Sequence, residues 1–329
     1  MTVLAVTGSA ADWGWFEPIV ADLSKYVDVM VLVLGPHEVQ SMNGHVQVRR
    51  SSCFSGQVDL NMTEYLVSVI TAVDQFLCAE DDHGVCYSEA IVIGDRIEMF
   101  GAASVIASHK IRLHHLYAGD VSGCIDDKYR DAISMLADVL YTGTLAAQTR
   151  AEQLAVMRST LEGVHQCWFP FTVDQSVFDE LPDVSPGEYI MARFHPETSK
   201  LNPEPVEEWI EDVMQYAKRD NMTLLVWPPN NDDGADVIRD IWESHGIEMM
   251  SIELSRPKYL ALLRNAYAIY GNSSSFVLEV PLVRNDYRAV TLYGNRQKGR
   301  SGDVGVELLP KVAEVLRKEI CDDCVDRSL

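Results

Sequence analysis

Apolar runs of strand length recur along the whole chain, each stopped by glycine or a polar turn and followed by a helix-like stretch. Thr2 to Thr7 closes on Gly8-Ser9, and Ala90 to Ile93 closes on Gly94-Asp95-Arg96. Ile111 to Leu116 runs into Tyr117-Ala118-Gly119-Asp120, Tyr189 to Phe194 into His195-Pro196, and Ala268 to Tyr270 into Gly271-Asn272-Ser273. Asp28 to Leu34 is nearly continuous in apolar residues, as expected of a strand buried on both faces. Strands alternating with helices predict an α/β protein with parallel sheets. No period of 20 to 50 residues repeats, which excludes a solenoid.

The same reading places shorter strands at Val46 to Val48, Val139 to Thr142, Thr223 to Trp227, Ile247 to Ile252 and Ala289 to Leu292. Helices are expected at Trp15 to Lys25, Met62 to Cys78, Glu98 to Ser108, Gln148 to Leu161, Glu207 to Lys218, Ala235 to Ser244, Pro257 to Asn265 and Gly305 to Glu319. Glu80 to His83 reads as a loop. At 329 residues the chain exceeds what one core usually supports, and the rhythm breaks between 162 and 188. The expected organisation is a Rossmann-like domain over 1–165, a linker over 166–188 and a second Rossmann-like domain over 189–329. The two would face each other across a cleft, with the last helix packing back on the first domain.

A net charge of −22 argues against nucleic acid or an anionic membrane as partner, because a phosphate surface repels such a field. No segment approaches the roughly 20 apolar residues that span a bilayer, and the amino terminus lacks a basic leader. Seven cysteines without regular spacing suit a reduced, cytoplasmic, unprocessed protein. The single C-x-x-C, Cys321 with Cys324, has no second pair and no redox context.

Chemistry concentrates at the turns that follow the strands. Gly94-Asp95-Arg96 with Glu98, Asp120, and Asp126, Asp127 and Arg130 would leave the carboxyl ends of neighbouring strands, where open parallel sheets bind ligands. Gly271 to Ser275 offers small residues, hydroxyls and helix amides to an anion. Glu279, further along that helix, would be placed to accept from sugar hydroxyls. The loop from Gly294 to Arg300 pairs two glycines with Arg296, Lys298 and Arg300 in a chain otherwise short of cations. His195 sits directly after a strand and before a proline, while His114 and His115 alternate faces, so at most one points towards the cleft. Zinc at His115, Asp95, Asp120 and Asp126 is disfavoured, since the spacing matches no metal motif and arginines compete for the carboxylates.

Assembled in order, these stretches resemble the hydrolysing UDP-N-acetylglucosamine 2-epimerases of the sialic and legionaminic acid branch. Thr7 to Gly14 is similar to T-G-S-R-A-D-Y-G, Gly94 to Glu98 to G-D-R-x-E, and His115 to Gly123 to H-x-x-G-G-E/D. Asp126, Asp127 and Arg130 match paired acids and an arginine. His195 to Thr198 matches H-P-x-T, Gly271 to Pro281 resembles G-N-S-S-S-G-x-x-E-x-P, and Arg296 to Arg300 reads R-Q-K-G-R. The resemblance implies a glycosyltransferase-B fold, a homodimer, and no metal or nicotinamide cofactor. It implies a carboxylate that removes the proton at the second carbon of a UDP-sugar as UDP leaves, then water addition to the glycal. Asp95, Asp120 and Asp126 or Asp127 become the acid/base candidates. His195, Ser273 and Ser274 would meet phosphate, Glu279 the ribose and Arg296 the uridine side. Gly8, Ser9, Arg96, Glu98, His115, Arg130, Asn272, Ser275, Lys298 and Arg300 complete the expected nucleotide-sugar contacts.

Several positions depart from that pattern. Ala10 stands where the opening motif carries arginine, Tyr117 and Ala118 replace a polar residue and a glycine, Asp120 stands for the commoner glutamate, and Phe276 for a glycine. Two further functions fit such a chain: a UDP-sugar glycosyltransferase with an altered acceptor side, and a non-catalytic UDP-sugar binder.

Overall fold

The computed structural model describes residues 1–39, 42, 44–51, 61–157, 161–197, 206–229, 234–252, 254–284, 290–294, 296–297 and 310–320. The expected α/β architecture is present as two compact units, each built on its own parallel sheet. One unit gathers Met1–Asp120, Asp126–Phe171 and the closing helix; the other gathers Val121–Ile125 and the described residues of 172–304.

The first unit runs β1 (Thr2–Thr7), α1 (Ala10–Leu23), β2 (Asp28–Val33), β3 (Val46–Arg50), α2 (Met62–Asp82), β4 (Glu89–Ile93), α3 (Ile97–Ser108), β5 (Arg112–Leu116), α4 (Asp126–Leu136), β6 (Val139–Thr142), α5 (Leu145–Val156) and β7 (Gly163–Gln166). Its seven strands lie in the order β3-β2-β1-β4-β5-β6-β7, all parallel. The chain therefore moves outward from β1 to β3 and returns on the far side with β4. That reversal opens a crevice beyond the carboxyl ends of β1 and β4.

Both faces of this sheet are covered, which explains the unbroken apolar runs. Val3, Ala5, Val29, Val31 and Val33 pack with Phe16, Ile19 and Leu23 of α1 on one face. Leu4, Val6, Met30 and Leu32 pack with Val69 and Val73 of α2 and Ala102 and Ile106 of α3 on the other.

The second unit runs α6 (Val177–Glu180), β8 (Tyr189–Arg193), α7 (Val206–Arg219), β9 (Thr223–Trp227), α8 (Ala235–Ser244), α9 (Arg256–Asn265), β10 (Ala268–Gly271), α10 (Ser274–Leu278), α11 (Val280–Val283) and β11 (Val290–Leu292). Its sheet is ordered β11-β10-β8-β9, again all parallel, with the reversal between β8 and β10. The last helix, α12 (Val312–Ile320), returns to the first unit. There Val312, Leu316 and Ile320 join the core formed with α1, and Glu319 pairs with Arg112 at 2.8 Å.

Four local expectations need correction. Glu80–Asp82 continues α2 rather than forming a loop, because nothing before the positive-φ Gly84 stops the helix and acidic side chains suit an exposed face. The helix expected at Gln148 to Leu161 spans Leu145–Val156 instead, started by Thr144, whose hydroxyl accepts from the Ala147 amide at 3.0 Å. Gly163–Gln166, inside the stretch where the rhythm breaks, is a seventh strand paired with β6. Ile247 to Ile252 forms no strand; the Met250 amide donates once to Val226 O, at 2.8 Å, and no ladder follows.

Candidate active site

In the first unit the acids gather around one buried arginine. Arg130, from the second turn of α4, is almost wholly enclosed. It donates from Nη1 to Asp120 O at 2.8 Å and to Asp127 Oδ1 at 2.8 Å, and from Nη2 to Asp95 Oδ2. One guanidinium thus ties the loop after β4, the loop after β5 and the start of α4 together, using the fork geometry that suits carboxylates. Asp95 and Asp127 keep part of their surface open while Asp120 is buried. Asp126 and Asp127 form the acidic first turn of α4, where the helix dipole favours negative charge.

His115 works from behind this cluster. Its ring is buried, with Nδ1 bonded to Ser134 Oγ at 2.9 Å and Nε2 to Gly94 O at 2.7 Å. Burial pushes its pKa down to about 4, against the Gly94 hydrogen bond, so the neutral ring props the backbone beside Asp95. Both ring nitrogens are engaged, which sets His115 behind the loop as a support. His114, on the opposite face, bonds Glu89 Oε2 at 2.8 Å and Tyr141 at 2.9 Å.

The loop after β1 lies against the loop after β4. Arg96 caps α3 and donates through Nε to Glu98 Oε1. Glu98 is fully buried and packs so closely on Gly8 that a Cβ there would sit 2.5 Å from Glu98 Cγ. Gly8 is glycine for that reason. Ser9 caps α1: its hydroxyl accepts from the Asp12 amide at 3.1 Å and donates to Asp12 Oδ2 at 2.8 Å. Asp12 holds the aspartate position of the opening motif but is not among the candidate site residues, because a serine followed three residues later by an acid also signals a helix start. Burial raises its carboxyl to about 6, with Arg96 opposing, Glu98 adding to the rise and the Ser9 bond opposing.

Of the departures, Tyr117 adopts φ +63, a left-handed backbone that a non-glycine residue enters at a cost of roughly 1–2 kcal/mol. Its ring packs on Phe169 and Trp15, with centroids 4.2 and 4.9 Å away. Those apolar contacts explain an aromatic residue at this turn.

The second unit presents a different kind of site. Gly271 ends β10 at φ +146, and a Cβ there would fall 1.9 Å from Arg193 O, so only glycine fits. Asn272 then clamps the neighbouring loop: its Oδ1 accepts from the His195 amide at 2.7 Å and its Nδ2 donates to His195 O at 2.9 Å. Gln297 Nε2 donates to Asn272 O at 3.1 Å, bringing the third loop in. Ser273 caps α10, Ser274 is partly exposed in its first turn, and Ser275 Oγ bonds Tyr259 OH at 2.7 Å. Glu279 is buried and accepts from Arg256 Nε at 2.7 Å. Arg256 is thus a second member that the sequence does not single out, since one arginine after Ser255 leaves no periodic mark.

Arg296 is buried, its amide donating to Glu197 Oε1 at 3.2 Å and its Nη1 to Pro196 O at 2.5 Å. Residues far apart in sequence, His195, Asn272, Arg296 and Gln297, therefore form one cluster. Lys298 and Arg300 lie outside the described residues, as do Thr198 and the Cys321–Cys324 pair. Cys78, Cys86 and Cys167 are free thiols.

One group among the described residues has metal-ligating atoms within 4.8 Å of one another: Asp74, Cys78 and His109, all exposed. It includes none of His115, Asp95, Asp120 or Asp126, and His109 caps the far end of α3 from Arg96. No helix among the described residues is long and apolar enough to cross a membrane.

A sequence profile described as UDP-N-acetylglucosamine 2-epimerase matches residues 24–320. The chain belongs to this family of enzymes. It is 26% identical over 296 residues to the UDP-N,N'-diacetylbacillosamine 2-epimerase (hydrolyzing) of Legionella pneumophila, covering 84% of this chain and 77% of that one. It is 25% identical over 319 residues to the UDP-N-acetylglucosamine 2-epimerase of Neisseria meningitidis, covering 91% and 82%. Among solved structures, the Methanocaldococcus jannaschii UDP-GlcNAc 2-epimerase in complex with UDP-GlcNAc and UDP aligns with a TM-score of 0.70 at 14% identity, over 97% of this chain and 99% of that one. The Neisseria meningitidis enzyme bound to UDP-GlcNAc aligns at 0.63 and 14%, over 85% and 80%. At such identities these structures share the fold, which is of the glycosyltransferase-B class.

Proposed function

We propose that the chain is a hydrolysing 2-epimerase of a UDP-2-acetamido sugar, UDP-GlcNAc or a diacetamido relative, releasing UDP and the free 2-epimer. The observation that carries this reading is Asp95, fixed by Arg130 beside Asp120 and Asp127 while still open to solvent. Removing a proton from carbon needs a positioned base, and returning one to the other face of a glycal needs a second acid nearby. Crowded carboxylates on one cation provide both. Asp95 is the base in this reading, and Asp120, Asp126 and Asp127 supply or relay the returned proton. The names of the Legionella and Neisseria relatives support the sugar class.

The second unit holds the nucleotide. Ser273, Ser274, Ser275 and the amides at the start of α10 face phosphate, with His195, Lys298 and Arg300 as its further donors and Arg296 on the uridine side. Glu279, oriented by Arg256, takes the ribose. The protein works as a cytoplasmic homodimer without a metal or a nicotinamide.

A second reading, a glycosyltransferase with a remodelled acceptor side, draws on Ala10 and the aromatic Tyr117 turn. Incubation with UDP-GlcNAc, and separately with a diacetamido UDP-sugar, followed by chromatography of the products decides between them. Free 2-epimer plus UDP without any acceptor is the expected result. Turnover that begins only when an acceptor sugar is added, or UDP-sugar binding without turnover, would replace this reading.

A further inference from the structure

Elimination of a diphosphate leaves negative charge on the oxygen that departs from the first carbon of the sugar, and that charge needs a cation or a proton. In the first unit the segment from the end of β1 into the first turn of α1, Gly8-Ser9-Ala10-Ala11-Asp12, contains no cation. The cation opposite it, Arg96, is engaged by the buried Glu98. What this segment does contain is a carboxyl group. Asp12 Oδ1 lies 3.8 Å from the position of a Cβ on Gly94, so this carboxyl rests on the backbone next to Asp95. Its other oxygen is fixed by Ser9.

We propose that Asp12 is a further acid of this site: it gives its proton to the departing diphosphate oxygen, where the segment offers no cation to stabilise it. This rests on the 2-epimerase reading. Three observations meet here. The first is position, because Asp12, in the first turn of α1, and Asp95, in the loop after β4, lie at the two strand ends that flank the β1/β4 reversal. The second is Glu98, fully buried, whose Oε2 has no hydrogen-bond partner among the described residues. An unpartnered buried carboxylate oxygen at this point favours a neighbour that carries a proton. The third is that burial already holds the Asp12 proton to about pH 6. The charged groups that face it are Arg96 from the β4–α3 turn and Glu98 from the first turn of α3, with Asp95 one residue from its contact at Gly94. A bound diphosphate would raise its affinity for the proton further.

The step balances without a redox partner. A base takes the proton from the second carbon, and that electron pair becomes the double bond of the glycal. The bond from the first carbon to oxygen breaks with its pair on oxygen, which receives the Asp12 proton. In the second half, water adds to the first carbon, its proton returns to the Asp12 carboxylate, and an acid on the opposite face protonates the second carbon.

The test uses the full chain, first confirming that the parent releases free sugar and UDP. A parent with no turnover removes the reading and this proposal together. Asp12→Asn and Asp12→Ser are then assayed for kcat and KM across pH, with UDP binding by calorimetry as the check on folding. Serine keeps a short hydrogen-bonding side chain in the first turn of α1, in case asparagine fails to fold. The parent's kcat should fall as pH rises through or above about 6, since the acid must carry its proton to act. Both variants should lose roughly 100- to 10,000-fold in kcat, the usual share of general acid catalysis, and should lack that alkaline limb. Their KM should change by less than about threefold, because the lost interaction belongs to the transition state. A variant with the parent's kcat overturns the proposal with the epimerase reading intact. So does a slowed variant that keeps the alkaline limb, or a pair that loses only stability, which would make Asp12 a helix cap alone.

Discussion

Each unit sets carboxylates against a buried arginine, and the two arrangements differ in what they leave open. In the first, Arg130 is 2% exposed while its partners Asp95 and Asp127 are 22% and 18% exposed. In the second, Arg256 and Glu279 are each 6% exposed. The first pairing presents acids outward on a hidden cation, which suits groups that exchange protons. The second closes on itself behind a serine-lined turn, which suits a rigid scaffold for a ligand held by amides and hydroxyls. The departures from the family pattern follow the same division. Ala10, Tyr117, Ala118 and Asp120 all belong to the acid side, while the second unit departs at Phe276.

The largest expected effect separates the two arginines. Arg256→Met should lower the stability of the second unit by about 3–5 kcal/mol, because it strands a buried carboxylate. Arg130→Met should lower stability less, by about 1–3 kcal/mol, since its partners reach water, yet it should abolish turnover. Urea titrations of both variants, paired with product assays, check this. Equal destabilisation with activity kept in Arg130→Met would erase the contrast.

Next in size is a pH effect confined to the first unit. Burial lowers both His115 and His37 to about 4 from an ordinary 6.5. The unfolded chain therefore takes up these protons as pH falls from 6.5 and the folded chain does so only near 4. Stability should drop over that window by up to about 3 kcal/mol for each histidine. Asp12 works in the other direction, since its raised value favours the folded state at low pH and that benefit fades as pH rises from about 4 to about 6. His115→Gln should flatten the slope between about pH 4 and 6.5 in urea titrations, whereas substitutions in the second unit should not.

The smallest effects sharpen the nucleotide side. Ser274→Ala and Arg296→Ala should each weaken UDP binding by about 1–3 kcal/mol, the loss of a charge-assisted contact. Calorimetry with UDP measures it, and parent-like binding in both would remove the nucleotide assignment of this unit.

Much of this is legible in the chain. Strands such as Thr2–Thr7 and Asp28–Val33 announce themselves because burial on both faces demands unbroken apolar residues. The turn chemistry of Gly94-Asp95-Arg96 and Gly271-Asn272-Ser273 marks the loops at both reversals. What escapes depends on contacts far apart in sequence. Nothing local shows that Arg130 reaches Asp95, 35 residues away, or that Arg256 buries Glu279. Ile247 to Ile252 is apolar enough for a strand, yet it makes only one backbone bond to β9, so composition alone misleads there. Asp12 falls within the opening motif, but its place at a helix start, where an acid is ordinary, disguises it.

The most direct test of the central claim is turnover of UDP-GlcNAc in deuterium oxide, with nuclear magnetic resonance of the released sugar. The parent should produce free 2-epimer carrying deuterium at the second carbon, together with UDP. Asp95→Asn should bind UDP as the parent does, incorporate no deuterium and release no sugar. A parent product without deuterium at that carbon, or an Asp95→Asn variant that still incorporates it, would contradict proton abstraction by Asp95.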